Sequence, residues 1–237
     1  MDFTFDAYLK LIELVKISGY EFRNYHDYKY TEKCVIMRHD IDNSIEKALQ
    51  LAKIENSEHV SATYFVLLNT DFYNVASKKS LSCINEIVSL GHEIGLHFDE
   101  TAYGCEEIEL KHFIAREARI LSDIIDYPVT TFSMHRPNQR VLNSNLVIPG
   151  LVNAYGHPFF DEFKYLSDSR RTWRESVEEI VKAGKYKRLQ ILTHAFWYYE
   201  HELSLSETVR NYIGAANDER KLLMSQNIKD LDEIINN

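Results

Sequence analysis

Asp40 and Asp42 close an apolar run, Val35-Ile36-Met37-Arg38-His39-Asp40-Ile41-Asp42, and strand alternation points both carboxylates the same way. A core does not accept unpaired carboxylates, so the pair belongs where a strand meets solvent, able to hold a cation or take a proton. Further along the chain His97, His135, Asp168 and His194 each stand at the end of a short β-rich run. Such imidazoles and carboxylates serve as metal ligands and proton shuttles. Together they offer what amide hydrolysis needs: a polarised carbonyl, an activated water and a proton for the departing nitrogen.

Those side chains are far apart in sequence, so the elements must gather them. Seven strands are expected, at residues 34–41, 62–68, 92–98, 129–134, 151–155, 164–167 and 189–193. Helical periodicity appears over 5–18, stopping at Gly19, and after Asn43 and Ser44 through about residue 56. Further helices are expected near 77–90, 106–125, 173–183 and 205–233, the last with a break around Gly214 to Asp218. Strands alternating with helices point to a parallel sheet, and a parallel barrel collects the strand carboxyl ends on one rim. An open doubly wound sheet is the alternative, but it needs a switch point that the pattern does not reveal.

The 237 residues carry 36 acids against 27 basic side chains, a formal charge of −9, which argues against nucleic acid or an anionic membrane as the main partner. The basic run Lys182 to Arg188 reads as a solvated helix end and turn, with contact to an anionic substrate or lipid head group as the alternative. No linker rich in Pro, Gly or Ser divides the chain, so a single domain over 1–237 is expected. The opening segment shows neither a signal peptide nor a membrane-spanning run, which makes the expected location cytoplasmic and the protein not an integral membrane protein. Cys34, Cys83 and Cys105 are odd in number and widely spaced, which disfavours a disulfide framework or a thiolate zinc site.

Over roughly residues 34–198 the chain resembles the polysaccharide deacetylase family, the NodB-homology or carbohydrate esterase 4 group. The matching stretches are Arg38-His39-Asp40-Ile41-Asp42, Gly91 to His97, the His135-Arg136-Pro137-Asn138 segment, and Leu192-Thr193-His194. The resemblance implies an α/β fold, a distorted seven-stranded (β/α) barrel of the NodB type. It implies Asp40 as the general base, Asp42 and His97 as metal ligands, Arg136 as the guanidinium steadying the catalytic acid, and His194 as the proton donor. Asp168, in Tyr165-Leu166-Ser167-Asp168-Ser169, matches the acid that orients that histidine. His92 matches a position that does not bind metal.

The sequence departs from the family where a second histidine ligand is usual, four residues past His97, because Thr101 stands there. Asp99, Glu100, His135 or a water must then complete the site, and His135 is preferred. The implied cofactor is a divalent metal, zinc first, with cobalt, nickel and manganese as alternatives. The implied activity is metal-dependent removal of an acetyl or formyl group from an amino sugar that is nucleotide-linked, lipid-linked or otherwise soluble. Two other functions fit the same residues: a non-catalytic carbohydrate-binding protein on a degenerate barrel, and a metal hydrolase of other C–N bonds. Trp197 and Tyr198 are candidate walls of the acyl pocket, and Phe72, Tyr73, Phe159 and Phe160 are either sugar-facing loop aromatics or core covers. His39, pointing away from Asp40 and Asp42, is expected to be packed or hydrogen-bonded, His157 to be a loop residue, and Tyr155 to be structural rather than catalytic. The sequence leaves the sugar, the acyl group and the oligomeric state open.

Overall fold

Each apolar run between residues 34 and 193 forms one strand of a single parallel sheet, and the alternation within each run decides what faces inward. The computed structural model describes residues 1–103 and 107–235, with residues 107 and 108 described by their backbone alone. The strands are β1 (Glu21–Arg23), β2 (Cys34–Ile41), β3 (Thr63–Leu67), β4 (Glu93–Asp99), β5 (Thr131–His135), β6 (Val152–Asn153), β7 (Lys164–Ser167) and β8 (Arg188–Thr193). The helices are α1 (Phe5–Ile17), α2 (Ile45–Ser57), α3 (Lys78–Ser89), α4 (Glu107–Ile125), α5 (Gln139–Asn143), α6 (His157–Asp161), α7 (Val177–Ala183), α8 (Leu205–Ser225) and α9 (Leu231–Ile235).

All pairings between named strands are parallel, in the order β6-β5-β4-β3-β2-β8-β7, with β1 pairing the start of β2. That is a barrel order cut between β6 and β7, so the sheet is a curled half-barrel with a seam rather than a closed cylinder. The seven expected strands correspond to β2 through β8. The short β1 was not anticipated, because three residues carry too little alternation to be seen.

Two apolar clusters follow from the pleat. Val35, Met37 and Ile41 of β2, with Tyr64, Val66, Ile94, Leu96, Phe98, Phe132, Leu189 and Ile191, pack outward with Leu11, Ile12, Leu51 and Ile84 of the helices. Cys34 and Ile36 face the other way and join Phe65, Tyr25, Tyr28, Ala154, Phe159 and Phe163 inside the curl. Arg38 and Asp40 continue that inward row. Gly95 makes room within it: a Cβ there would lie 2.5 Å from the Phe65 ring and 3.0 Å from the Thr131 carbonyl. Gly95→Ala is therefore expected to lower stability by about 1–3 kcal/mol in urea unfolding, through overpacking at a ring on which Arg38 rests.

Caps explain the helix bounds. Ser44, Ser77 and Ser176 each accept a backbone N–H from the first turn of α2, α3 and α7. The cap at Ser176 starts α7 four residues later than the periodicity suggested. Gly184 ends it at φ 60°, so the basic run around Lys182 to Arg188 is a helix end, a turn and the start of β8. The outer face also holds a polar network. His39 lies between Thr193 Oγ1 at 2.6 Å and Glu55 Oε1 at 2.7 Å, and Tyr8 and Tyr64 each donate to Glu55 at 2.6 Å. Three groups thus share one buried carboxylate, as burial of a charge requires.

Residues 1–200 form one compact unit and 201–237 a second. Within the second, α8 runs unbroken through Gly214, and the interruption falls after Gln226. One glycine costs a helix about 1 kcal/mol, which the capping box of Ser204 and Glu207 and 21 residues of propagation outweigh. No described helix is long and apolar enough to cross a membrane. Cys34 and Cys83 are free thiols, and Cys105 lies outside the described residues.

Candidate active site

The strand order brings the carboxyl ends of β2, β4, β5, β7 and β8 together, and with them the side chains that end each run. Asp42 Oδ1 lies 3.3 Å from His97 Nε2 and 3.3 Å from His135 Nδ1, and those two nitrogens are 3.1 Å apart. Ligand atoms of Asp42, His97 and His135 thus form a compact cluster able to hold a metal ion. His97 Nδ1 faces Ser133 Oγ at 2.7 Å, and with the proton on that nitrogen Nε2 keeps its lone pair for the cluster.

The donor set and spacing of the cluster fit a cation. Asp42 Oδ1 is buried with no hydrogen-bond partner, although two imidazoles stand beside it. Three atoms with lone pairs converging at 3.1–3.3 Å need a shared proton or a cation between them, and a cation serves all three at once. Nitrogen and oxygen ligands about 2.0–2.1 Å from a four-coordinate ion sit about 3.3 Å apart, the spacing of this triangle. Burial would raise the Asp42 carboxyl, but the imidazoles of His135 and His97 outweigh it and hold the group well below the carboxylate range.

Thr101 is exposed, and its N–H and hydroxyl both donate to Asp99 Oδ1, at 2.9 and 2.7 Å. Asp99 is therefore occupied as the cap of the turn at Glu100–Ala102. Glu100 accepts the backbone N–H of Asn138 at 2.6 Å and its side-chain amide at 3.1 Å, pinning the loop just past His135. Of the three side chains weighed for the vacant place, His135 is the one that meets Asp42 and His97.

Asp40 stands beside the triangle, with Oδ2 3.6 Å from His97 Nε2. It is gripped at both oxygens by one guanidinium, Arg38 Nε and Nη2, each at 2.9 Å. Burial alone would push the Asp40 carboxyl up, and the Arg38 charge outweighs it and holds the group below its usual value. The guanidinium that meets Asp40 belongs to Arg38, while Arg136, to which the resemblance gives that place, is exposed at the rim. Alternation carries the missed signal: Arg38 precedes Asp40 by two residues and shares its face of β2. Tyr155 lies over Arg38, ring centroid 4.6 Å from Cζ, and its hydroxyl accepts from Nη2 at 3.3 Å.

His194 completes the group from the opposite side, with Nε2 3.9 Å from Asp42 Oδ2. Its Nδ1 meets Asp168 Oδ1 at 2.6 Å, and its backbone N–H donates to both Asp168 oxygens at 3.1 Å. Asp168 is fully buried and makes no side-chain cap bond, so it pairs with the histidine rather than capping a helix. Tyr198, expected to wall an acyl pocket, is instead buried behind the pair and donates to Asp168 Oδ2 at 3.1 Å. Burial would lower the His194 pKa, but the Asp168 carboxylate outweighs it and lifts the value to about 9.

The sign of that shift yields a prediction. A raised pKa means that the fold favours the charged imidazolium, fully so below the ordinary value near 6.5, and that this support disappears as pH rises through about 9. Turnover that needs the protonated ring is therefore expected to hold through neutrality and fall above about pH 9. Asp168→Asn should move that alkaline limb to lower pH in a kcat/KM profile.

The remaining marked residues divide cleanly. His92 is buried, accepting from Ala62 N at 3.2 Å and facing the Ala52 carbonyl at 3.0 Å, and His157 is exposed beside Asp161. Tyr73 ties β3 to β2 through the Leu67 N–H and the Ile41 carbonyl, and Phe159 belongs to the inner cluster. Phe72 and Phe160 are exposed, and Trp197 is half-buried.

No family model matches the chain, and no curated protein matches it. Among solved structures, the Xyl-CE4 domain of a multidomain xylanase from the hindgut metagenome of Trinervitermes trinervoides is 15% identical, with a TM-score of 0.45, covering 80% of this chain and 85% of that one. A family 4 carbohydrate esterase from Streptomyces lividans, in complex with acetate, is 14% identical with a TM-score of 0.46, over 69% of this chain and 79% of that one. A CE4 family pseudoenzyme from Bacillus anthracis is also 14% identical, at a TM-score of 0.45, over 80% of this chain and 62% of that one. The chain is thus similar to carbohydrate esterase family 4 structures of more than one kind, an esterase and a pseudoenzyme among them.

Proposed function

We propose that the protein is a metal-dependent hydrolase of the polysaccharide deacetylase type, removing an N-acyl group, acetyl or formyl, from an amino sugar or sugar conjugate. The observation that carries this reading is the Asp42, His97 and His135 triangle with its partnerless buried oxygen, flanked on one side by Asp40 and on the other by His194. Zinc suits two imidazoles and one carboxylate, and cobalt, nickel and manganese accept the same donors. A divalent ion in this place supplies Lewis acidity toward the acyl carbonyl and makes water easier to deprotonate.

The chain's own groups do the rest. Asp40, kept ionised by the Arg38 fork, is placed to take a proton from the attacking water. Its fixed orientation matters as much as its charge, because both oxygens are already held by Arg38. His194, kept protonated by Asp168, delivers its Nε2 proton to the amine nitrogen as the C–N bond breaks. Tyr198 steadies Asp168 from behind, which keeps the imidazole in one orientation.

Linear amides suit this layout, since an acid and a base stand on opposite sides of one electrophilic centre. The test is release of acetate or formate from acylated amino sugars by metal-loaded protein, run beside ammonia release from ureides. Acylate release from sugars supports the reading; ammonia from ureides with no acylate from any sugar would overturn it.

A further inference from the structure

Three arginines, Arg136, Arg170 and Arg171, have left-handed backbone; Arg171 rests over the Phe3 ring, and the other two stand exposed on the rim. Arg136 has φ 50° and Arg170 has φ 59°, the left-handed region that a residue with a Cβ enters at a cost. Arg136 follows His135 by one position, and Arg170 follows Asp168 by two. Both are exposed, and neither guanidinium makes a hydrogen bond, ion pair or ring contact among the described residues. Several other surface cations do meet acids, Lys16 with Glu58, Lys53 with Glu86 and Lys79 with Glu46 among them. In a chain of formal charge −9, carboxylates were available to pair with these two as well.

The surroundings repeat the sign. Residues 136–140 hold two arginines and no acid, and residues 169–174 hold three arginines and no acid, so five of the twelve arginines fall in two short rim segments. These segments follow β5 and β7. The edge strands β6 and β7 do not pair with each other, but Tyr155, just past β6, and Tyr165 of β7 have ring centroids 6.3 Å apart across the seam. Arg136 and Arg170 therefore rise on the two sides of the seam, next to the site. Their loops are held in place: Glu100 pins Asn138, while Thr172 N–H donates to the Asp168 carbonyl at 3.2 Å. The surrounding bonds hold the strained residues in place, the situation in which strain persists at binding sites.

We propose that Arg136 and Arg170 clamp a phosphate ester carried by the substrate, so that the acylated amino sugar is one joined to a nucleotide or lipid through phosphate. Two guanidinium forks approaching from opposite sides suit the several oxygens and the negative charge of a phosphate. In a protein of net negative charge, a local group of guanidiniums offers a phosphate complementary charge that the average surface does not. This inference rests on the hydrolase reading for the sugar and its acyl group, and on the rim arginines alone for the phosphate.

The experiment is calorimetry with the full-length, metal-loaded chain, using N-acetyl and N-formyl amino sugar 1-phosphates against the same sugars without phosphate, with acylate release followed in parallel. Wild type is expected to bind the phosphorylated forms at least tenfold more tightly. Arg136→Gln and Arg170→Gln should each remove much of that advantage and the double variant nearly all of it, with metal content retained as the check on folding. An advantage absent in wild type, or undiminished in the double variant, overturns the clamp. A nucleoside diphosphate sugar and a short-chain polyprenyl diphosphate sugar in detergent form the other arms, and tighter binding of either one identifies the source of the phosphate. Phosphate preference without acylate release would leave the clamp standing and remove the hydrolase reading, whereas release without preference does the reverse.

Discussion

Asp40→Asn is expected to leave about one divalent ion per chain while lowering kcat by roughly a thousandfold, the range seen when a positioned general base is removed. The separation follows from geometry. Asp40 is outside the ligand triangle, its nearer oxygen 3.6 Å from His97 Nε2, and both of its oxygens are committed to Arg38. The amide keeps the shape but cannot accept a proton, and it turns a donor toward one of the Arg38 nitrogens. Leaving that buried guanidinium short of its counter-charge should also cost stability, by about 3–5 kcal/mol. Steady-state kinetics on acylated sugars, elemental mass spectrometry and urea unfolding on one preparation separate these effects. Loss of metal together with turnover would move Asp40 into the ligand set and leave the base unassigned.

His135→Ala is expected to weaken metal binding more than a hundredfold, whereas Thr101→Ala should leave it unchanged. One acid and one imidazole make a poor site, so the third ligand decides whether the ion stays. His135 Nδ1 stands 3.3 Å from Asp42 Oδ1 and 3.1 Å from His97 Nε2, while Thr101 is turned to Asp99. Competition against a chromogenic chelator measures both variants directly. Equal weakening by the two would mean that the turn at Glu100–Ala102 rearranges to bring Thr101 to the metal.

The strands were readable because seven of them are either alternating or continuously apolar, and the site was readable because polar residues end those runs abruptly. What sequence order hid was proximity. The resemblance places the guanidinium on Asp40 at Arg136, beside a proline and far along the chain, although Arg38 lies two residues away on the same strand face. Tyr198 looked like a pocket wall because it is a large ring next to the last motif; only packing against Tyr8 and Phe3 reveals that it points inward to Asp168. Glu55 gave no local sign of its burial, since its partners Tyr8, His39 and Tyr64 come from a helix and two strands. The late start of α7 and the continuity of α8 were decided by caps, which single residues set and periodicity does not record.

The most direct test of the metal centre is elemental mass spectrometry of protein purified without chelator and reloaded with zinc, cobalt, nickel or manganese, beside Asp42→Ala and His97→Ala. About one ion per wild-type chain, lost in both variants, is the expected result. Metal absent from wild type after reloading, or retained in full by both variants, would contradict the assignment of Asp42, His97 and His135 as a metal site.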